Sequence, residues 1–377
     1  NKEQMQVYRE RRNRLLDQLT HGIAVIATAP MRPRNRDSYY PYRFDSYFYY
    51  LTGFEEPEAV LVVVAENQQG NAEQILFCRD KNLEREIWDG FRYGPDAACE
   101  RFKFDSTYPI SRLDEMMPKL LANQSTVYTM IGQDPAWDAQ ITGWVNRVRE
   151  QTRSGVTAPD TLADVRKILD EMRLFKDEHE LTLIRQAANI AVDAKHANPG
   201  LFEYEIEAEL IHEFRRQGAL APAYTPIVAG GANACVLHYI ENNMRLQSGD
   251  LLLIDAGCEY GGYASDITRT FPINGRFTAV QRDLYQLVLS AQDAAIEAVQ
   301  PGHTWDNPHQ AALTVLVQGF IDLGLCQGSV EGIIESEDYK RFYMHRTGHW
   351  LGLDVHDAGE YKQAGAWREL KPGMLST

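Results

Sequence analysis

The 377-residue chain is 44% hydrophobic and 24% charged with a net charge of −15, a globular composition in a length that exceeds one ordinary core. That negative balance excludes nucleic acid as a partner, since phosphate binding needs a basic footprint, and no apolar run approaches the roughly 20 residues of a membrane helix. The cysteines, Cys78, Cys99, Cys235, Cys258 and Cys326, are odd in number and lack a CxxC pair, so they read as buried thiols in a reducing, cytoplasmic compartment.

In chain order, NKEQMQVYRERRNRLLDQL reads as an amphipathic basic helix without the apolar centre of a secretory signal. Strands are expected over 23–28, 59–65 (AVLVVVA), 74–78 and 127–130, and a helix over 138–149, an α/β pattern. The tyrosine-rich DSYYPYRFDSYFYYLTGF reads as sheet and interdomain packing. Bulky apolar residues thin out over 155–170, which places a domain boundary there and divides the chain into 1–170 and 171–377. A helix is then expected over EMRLFKDEHELTLIRQAANIAVDAKHA, with Leu181, Ile184, Ala188 and Ala191 on one stripe. Further helices are expected over 205–216, over 278–299 (Val280, Leu284, Leu287, Ala291) and over 307–323, the last opening on Asn307 and Pro308 as cap and first-turn pair. The C-terminal half thus reads as an antiparallel sheet carrying helices on one side, and no tandem repeat is visible.

The most informative segment is LLLIDAGCEYGGYASDITRTF, two apolar strands joined by a glycine-containing turn. A turn centred between Tyr260 and Gly261 places Asp255 opposite Asp266 and Ile254 opposite Ile267, with both carboxylates on one face. Two like charges this close require that one take a proton or that both bind a cation. A solvated hairpin whose aspartates serve solubility fits the same spacing. Cys258 falls on the other side of the alternation and reads as structural. Thr268 shares the face of Asp266 and is placed to orient its carboxylate.

A second cluster, HRTGHWLGLDVHD, puts His345, His349 and His356 within a short stretch, and His238 follows the Gly-rich VAGGANACVLHY. Imidazole is both a common metal ligand and the natural proton shuttle near neutral pH. For any one of these histidines a hydrogen-bonded structural role serves equally well; their occurrence with the two aspartates is what points to chemistry. Trp88, in REIWDGFRYG, reads from sequence as an ordinary core or surface aromatic.

DAGCEYGGYASDITRTFPINGRF, HWLGLDVHD and YLTGFEEPEAVL together resemble the aminopeptidase P (Xaa-Pro aminopeptidase) family of the creatinase/prolidase group, over nearly the whole chain. The resemblance implies an α+β / α/β two-domain fold: a creatinase-like N-terminal domain and a C-terminal pita-bread domain. It implies hydrolysis of the bond between an N-terminal residue and a following proline, at two divalent metal ions, most often Mn2+, with Zn2+ or Co2+ as alternatives. Asp255, Asp266 and His349 match the metal ligands. His238 and His356 are placed around the substrate with His345 nearby, and Tyr224 stands beside the metal centre. Trp88 corresponds to an aromatic lent to a neighbouring subunit's site in a homo-oligomer (dimer or tetramer), and Tyr361 lines the same mouth.

The family continues PGM-x-x-T-x-E-P-G, with a second glutamate further on, whereas this sequence ends at PGMLST. Neither acidic ligand is present, so the metal site reads as incomplete and the sequence as a truncated copy of a longer protein. Prolidase, its organophosphate-hydrolysing relatives and a non-catalytic peptide- or protein-binding module are the competing readings.

Overall fold

The computed structural model describes residues 2–66, 69–192 and 199–377. The chain divides into two compact units, Asn1–Met172 and Arg173–Thr377. In the first, six strands form one sheet in the order Ser106–Pro109, Glu73–Cys78, Val60–Val64, Gly22–Ala27, Thr126–Thr129, Thr161–Asp164. The valine run Val60–Val64 is buried throughout, as an unbroken β-branched stretch should be in a central strand covered on both faces. Leu113, Met117 and Leu121 from one helix, and Trp144, Val145 and Val148 from another, complete that core. The second of these helices, Pro135–Arg149, starts on an Asp134 cap followed by proline.

The tyrosine-rich segment departs from its expected sheet. Asp45 accepts from the Phe48 amide and Gly53 takes φ 63°, bounding a helix at Ser46–Thr52 that buries Phe48, Tyr49, Tyr50 and Leu51. Capping chemistry overrides the β preference of tyrosine here.

In the second unit the long helix expected from Glu171 onward is broken. Asp177 and Glu180 exchange side-chain-to-backbone hydrogen bonds (2.9 and 3.0 Å), a reciprocal cap that starts a new helix, Glu178–Val192, after Arg166–Leu174 has ended. Its buried positions are Glu180, Ile184, Ala187 and Ile190, so the stripe lies about one residue from the expected one; the end expected for this helix, over 193–197, lies outside the described residues. Asn307 does not cap its helix, which runs Asp306–Asp322; its Oδ1 accepts from the Thr304 amide at 2.6 Å instead. The helix Ala279–Glu297 buries only Ala291 and Ala295 fully, leaving Val280 and Leu284 exposed.

Strand Leu251–Ala256 lies between Ile227–Gly230 and Ile267–Pro272 in an antiparallel sheet. Leu252, Ile254 and Ala256 point into the core, and Leu251, Leu253 and Asp255 face the other way. The hairpin register corrects the sequence reading: Asp255 pairs with Thr268, Ala256 with Ile267 and Ile254 with Arg269. The turn is centred on Gly261 and Gly262, with φ 58° and 84°, because a two-residue hairpin turn needs two left-handed residues and Tyr260 resists that conformation. The correction shifts the pairing by two residues, so each side chain keeps its face.

Opposite Asp266 the hairpin has Gly257, where a Cβ would stand 1.7 Å from the Ser265 carbonyl oxygen. Gly257→Ala is therefore expected to cost about 1–3 kcal/mol through overpacking, read from urea unfolding at unchanged m-value.

Candidate metal and catalytic site

Asp255 is the penultimate residue of Leu251–Ala256 and Asp266 immediately precedes its partner strand Ile267–Pro272, and the Tyr224 hydroxyl lies between them. It donates to Asp255 Oδ1 and lies 3.0 Å from Asp266 Oδ1. His349 arrives from 83 residues further along, its Nε2 at 3.0 Å from Asp266 Oδ2. Its Nδ1 faces the Trp350 carbonyl at 2.8 Å. The His356 ring lies 4.2 Å from that of His349, edge to face.

The two carboxyl groups are driven apart electrostatically. Burial pushes Asp255 up, and the Asp266 charge adds to it; hydrogen bonds from Tyr224 and Thr268 only partly offset this, so the carboxyl sits above its ordinary value. Burial acts the same way on Asp266, but hydrogen bonds from His349 and Tyr224 outweigh it and hold that carboxyl below the ordinary range. For His349, burial is overcome by the hydrogen bond to Asp266 and by backbone carbonyls, so its pKa is raised. Burial and the neighbouring His349 charge depress His356, leaving it neutral near pH 7. Burial, reinforced by both aspartates, raises the Tyr224 phenol and keeps it a donor. Of the two carboxyls, Asp255 is thus the one that protonates first as pH falls, and Asp266 is held by the His349 Nε2 contact at 3.0 Å.

The chain matches "Metallopeptidase family M24" over residues 180–377 and "Aminopeptidase P, N-terminal domain" over residues 8–128. It is 42% identical to the Xaa-Pro aminopeptidase of Escherichia coli (strain K12), covering 99% of this chain and 85% of that protein. The chain belongs to metallopeptidase family M24. Among solved structures, Pseudomonas aeruginosa aminopeptidase PepP superposes with a TM-score of 0.96 at 46% identity, over 99% of this chain and 85% of that one. Zinc-substituted E. coli aminopeptidase P in complex with product does so with a TM-score of 0.95 at 41% identity, over 99% and 86%. The two-domain fold is that of aminopeptidase P, with a C-terminal pita-bread domain.

The donor set fits an M24 metal. Two half-buried carboxylates and one imidazole are hard to borderline ligands, suited to manganese or zinc, and the upward push on Asp255 marks a place where a cation would relieve charge repulsion. Among the described residues no three His, Cys, Asp or Glu side chains already converge as a metal cage; Tyr224 and His349 occupy the carboxylate lone pairs through hydrogen bonds.

The remaining candidates separate. Thr268 lies across from Asp255 and donates to it, so it orients that carboxylate rather than Asp266, a consequence of the corrected register. His238 is exposed and close enough to bear on His356. His345 packs edge-on against Tyr343 with its Nδ1 on the Arg346 carbonyl, and none of its described contacts reaches the carboxylate pair. Tyr361 stacks on Trp350 at 5.5 Å, touches Trp305 and accepts from the Trp350 amide, so it supports the loop after His349. Trp88 belongs to the first unit, on the short helix Leu83–Asp89, and is 83% exposed. Of the cysteines, Cys258 is buried with its thiol on the Ala187 carbonyl, while Cys235 is exposed, against the expectation of buried thiols throughout.

The sequence reading missed Arg173, Lys176 and Asp357, whose side chains are buried as ion pairs; no periodicity marks a charge that will be desolvated. Tyr224→Phe removes the hydroxyl shared by the two aspartates and is expected to lower metal affinity or kcat/KM by about 10–100-fold, checked by metal titration beside peptide kinetics.

Proposed function

We propose that this chain is a Xaa-Pro aminopeptidase, removing an N-terminal residue that precedes proline, with Asp255, Asp266 and His349 holding two divalent metal ions. The observation that carries the reading is the meeting of two carboxylates from paired strands on one hydroxyl, with an imidazole nitrogen 3.0 Å from one of them. When bound, such ions supply Lewis acidity toward a water and toward the scissile carbonyl. Mn2+ suits a set dominated by carboxylate oxygen, with Zn2+ or Co2+ as alternatives. The two glutamates that the family pattern adds are not among the 377 residues.

The chain's own side chains handle binding and protons. Asp255 and Asp266 supply negative charge on one face of the hairpin, and Tyr224 and Thr268 fix their oxygens. The nitrogen of an Xaa-Pro bond carries no hydrogen and must gain a proton as it leaves. His356, neutral and beside His349, takes a proton from the attacking water and returns it to that nitrogen. His238, exposed on the preceding loop, orients the substrate, with His345 further out.

Peptides with proline at the second position are the substrates. Trp88, prominent and exposed, is the aromatic that a neighbouring copy receives in a homo-oligomer, and Tyr361 backs the site from behind Trp350. Among the described residues no helix is long and apolar enough to cross a membrane, and a cytoplasmic setting fits a peptide-trimming role. The discriminating assay compares Ala-Pro-Ala with Ala-Pro in the presence of Mn2+. Release of alanine from the tripeptide supports the proposal, cleavage confined to the dipeptide favours prolidase, and binding without cleavage favours a non-catalytic module.

A further inference from the structure

Glu203 is a carboxylate with 0% exposure that takes no part in the metal and proton chemistry of the site. It is the first residue of the helix Glu203–Arg216, and its two oxygens gather four donors from one stretch of chain. Oε1 accepts from the Gly230 amide at 2.8 Å and from Asn233 Nδ2 at 3.0 Å. Oε2 accepts from the Tyr239 hydroxyl at 2.7 Å and from the Met244 amide at 2.9 Å. The Glu203 N–H in turn donates to the Met244 carbonyl at 2.9 Å. Four donors match an acceptor-only carboxylate, which offers about four lone-pair sites.

The stretch so fastened, 230–244, leaves the strand Ile227–Gly230 and carries His238. Its apolar side chains do little to hold it, since Val236, Leu237 and Ile240 are 54%, 53% and 52% exposed. Tyr239 is the exception. Its ring packs on Ile227 and Ala229 beside Leu253, on the face of the sheet that Leu253 shares with Asp255. Asn242, buried with φ 46°, fastens the returning end: it accepts from the Val228 amide at 3.0 Å and donates to the Pro226 carbonyl at 2.8 Å. Tyr239 is thus turned inward, while its neighbour His238 stays exposed and close enough to bear on His356. With so little apolar area buried, hydrogen bonds decide which arrangement this loop takes.

We propose that Glu203 is a positioning residue: its carboxylate fastens the 230–244 loop over the face of the sheet that carries Asp255, and so holds His238 where a peptide substrate meets it. Glu203 touches no substrate and acts only through the loop. The inference rests on the reading of His238 as the residue that orients the substrate.

Glu203→Gln in the full chain tests it. The amide keeps the shape but has one accepting oxygen, so whichever way it turns, either the Gly230 or the Met244 N–H faces an NH2 group and loses its acceptor. The loop then holds its competent arrangement only part of the time, and apparent affinity falls by that fraction. The expected result on Ala-Pro-Ala with Mn2+ is a KM raised about 10–100-fold with kcat unmoved. Hydrogen exchange of the metal-free protein reads the loop without turnover. The Gly230 and Met244 amides should exchange faster by about the same factor, while the central strand Leu251–Ala256 keeps its protection. A role in stability alone would speed exchange throughout the unit and leave KM where it was. Tyr239→Phe, which keeps the ring and removes one of the four donors, is expected to shift KM and loop exchange in the same direction by less, and it decides the matter if the glutamine variant does not fold. An unchanged KM, a loss confined to kcat, or unchanged loop exchange in a folded variant overturns the proposal. Should the wild type cleave no Xaa-Pro peptide at all, the peptidase reading fails and hydrogen exchange alone decides whether Glu203 holds the loop.

Discussion

Asp255→Asn should abolish peptide hydrolysis, lowering kcat/KM by about a thousandfold or more, while the chain remains folded. A carboxylate that holds a catalytic cation contributes several kcal/mol of transition-state stabilisation, and each 1.36 kcal/mol is about tenfold in rate. The amide has nearly the same shape and can still accept from Tyr224 and Thr268, which both contact this carboxyl, but it brings no negative charge to a cation. Stability should not suffer. Burial, with the Asp266 charge added, raises the pKa of Asp255 in the folded state, so folding favours its neutral form. That contribution is fully present below the unfolded value and is lost as pH rises through the folded one. Asparagine is neutral at every pH and escapes the loss, so the metal-free variant is expected to melt no lower than the wild type near pH 7. Metal analysis, circular dichroism melting and kinetics on Ala-Pro-Ala check the three parts together; a variant that stays active removes Asp255 from the ligand set.

Asp357→Asn should be strongly destabilising, at about 3–5 kcal/mol, because it takes away the carboxylate charge that the buried Arg173 and Lys176 share. The pH dependence has a definite sign. Burial alone would raise the pKa of this carboxyl, but Arg173 and Lys176 outweigh it and hold the value below the ordinary carboxylate range. The stabilisation is therefore present above the unfolded value and lost as pH falls through the folded one. Urea unfolding should show a wide gap between wild type and variant at neutral pH that closes in acid. A neutral-pH difference below about 1 kcal/mol, the worth of an exposed ion pair, would show that these buried ion pairs carry no such weight.

Much of the site was legible before any coordinates. The alternation of LLLIDA puts Asp255 opposite in facing to Leu252, Ile254 and Ala256, and the structure buries those three. The same alternation sends the Cys258 thiol into the core. The placement of both aspartates on one face survived a two-residue error in register because the side-chain period is two. The error itself arose at the turn, where two glycines supply the two left-handed residues and Tyr260 does not. It carried through to Thr268, which serves Asp255. Helix boundaries were misread where a side chain chose a local backbone partner, as with Asp177 and Asn307.

By itself the sequence determined that there are two paired strands carrying aspartates on a common face, a valine-rich strand buried on both sides, and an M24-type pattern of histidines, because each of these is a matter of local period or residue chemistry. Only the tertiary structure decided that His349 reaches Asp266 across 83 residues, that one tyrosine hydroxyl serves both aspartates, that Tyr361 backs Trp350, and that Arg173 and Lys176 meet the Asp357 carboxylate out of water. Those outcomes depend on which surfaces pack together, and the desolvation and pairing of a charge are set by neighbours distant in the chain, which no local pattern encodes.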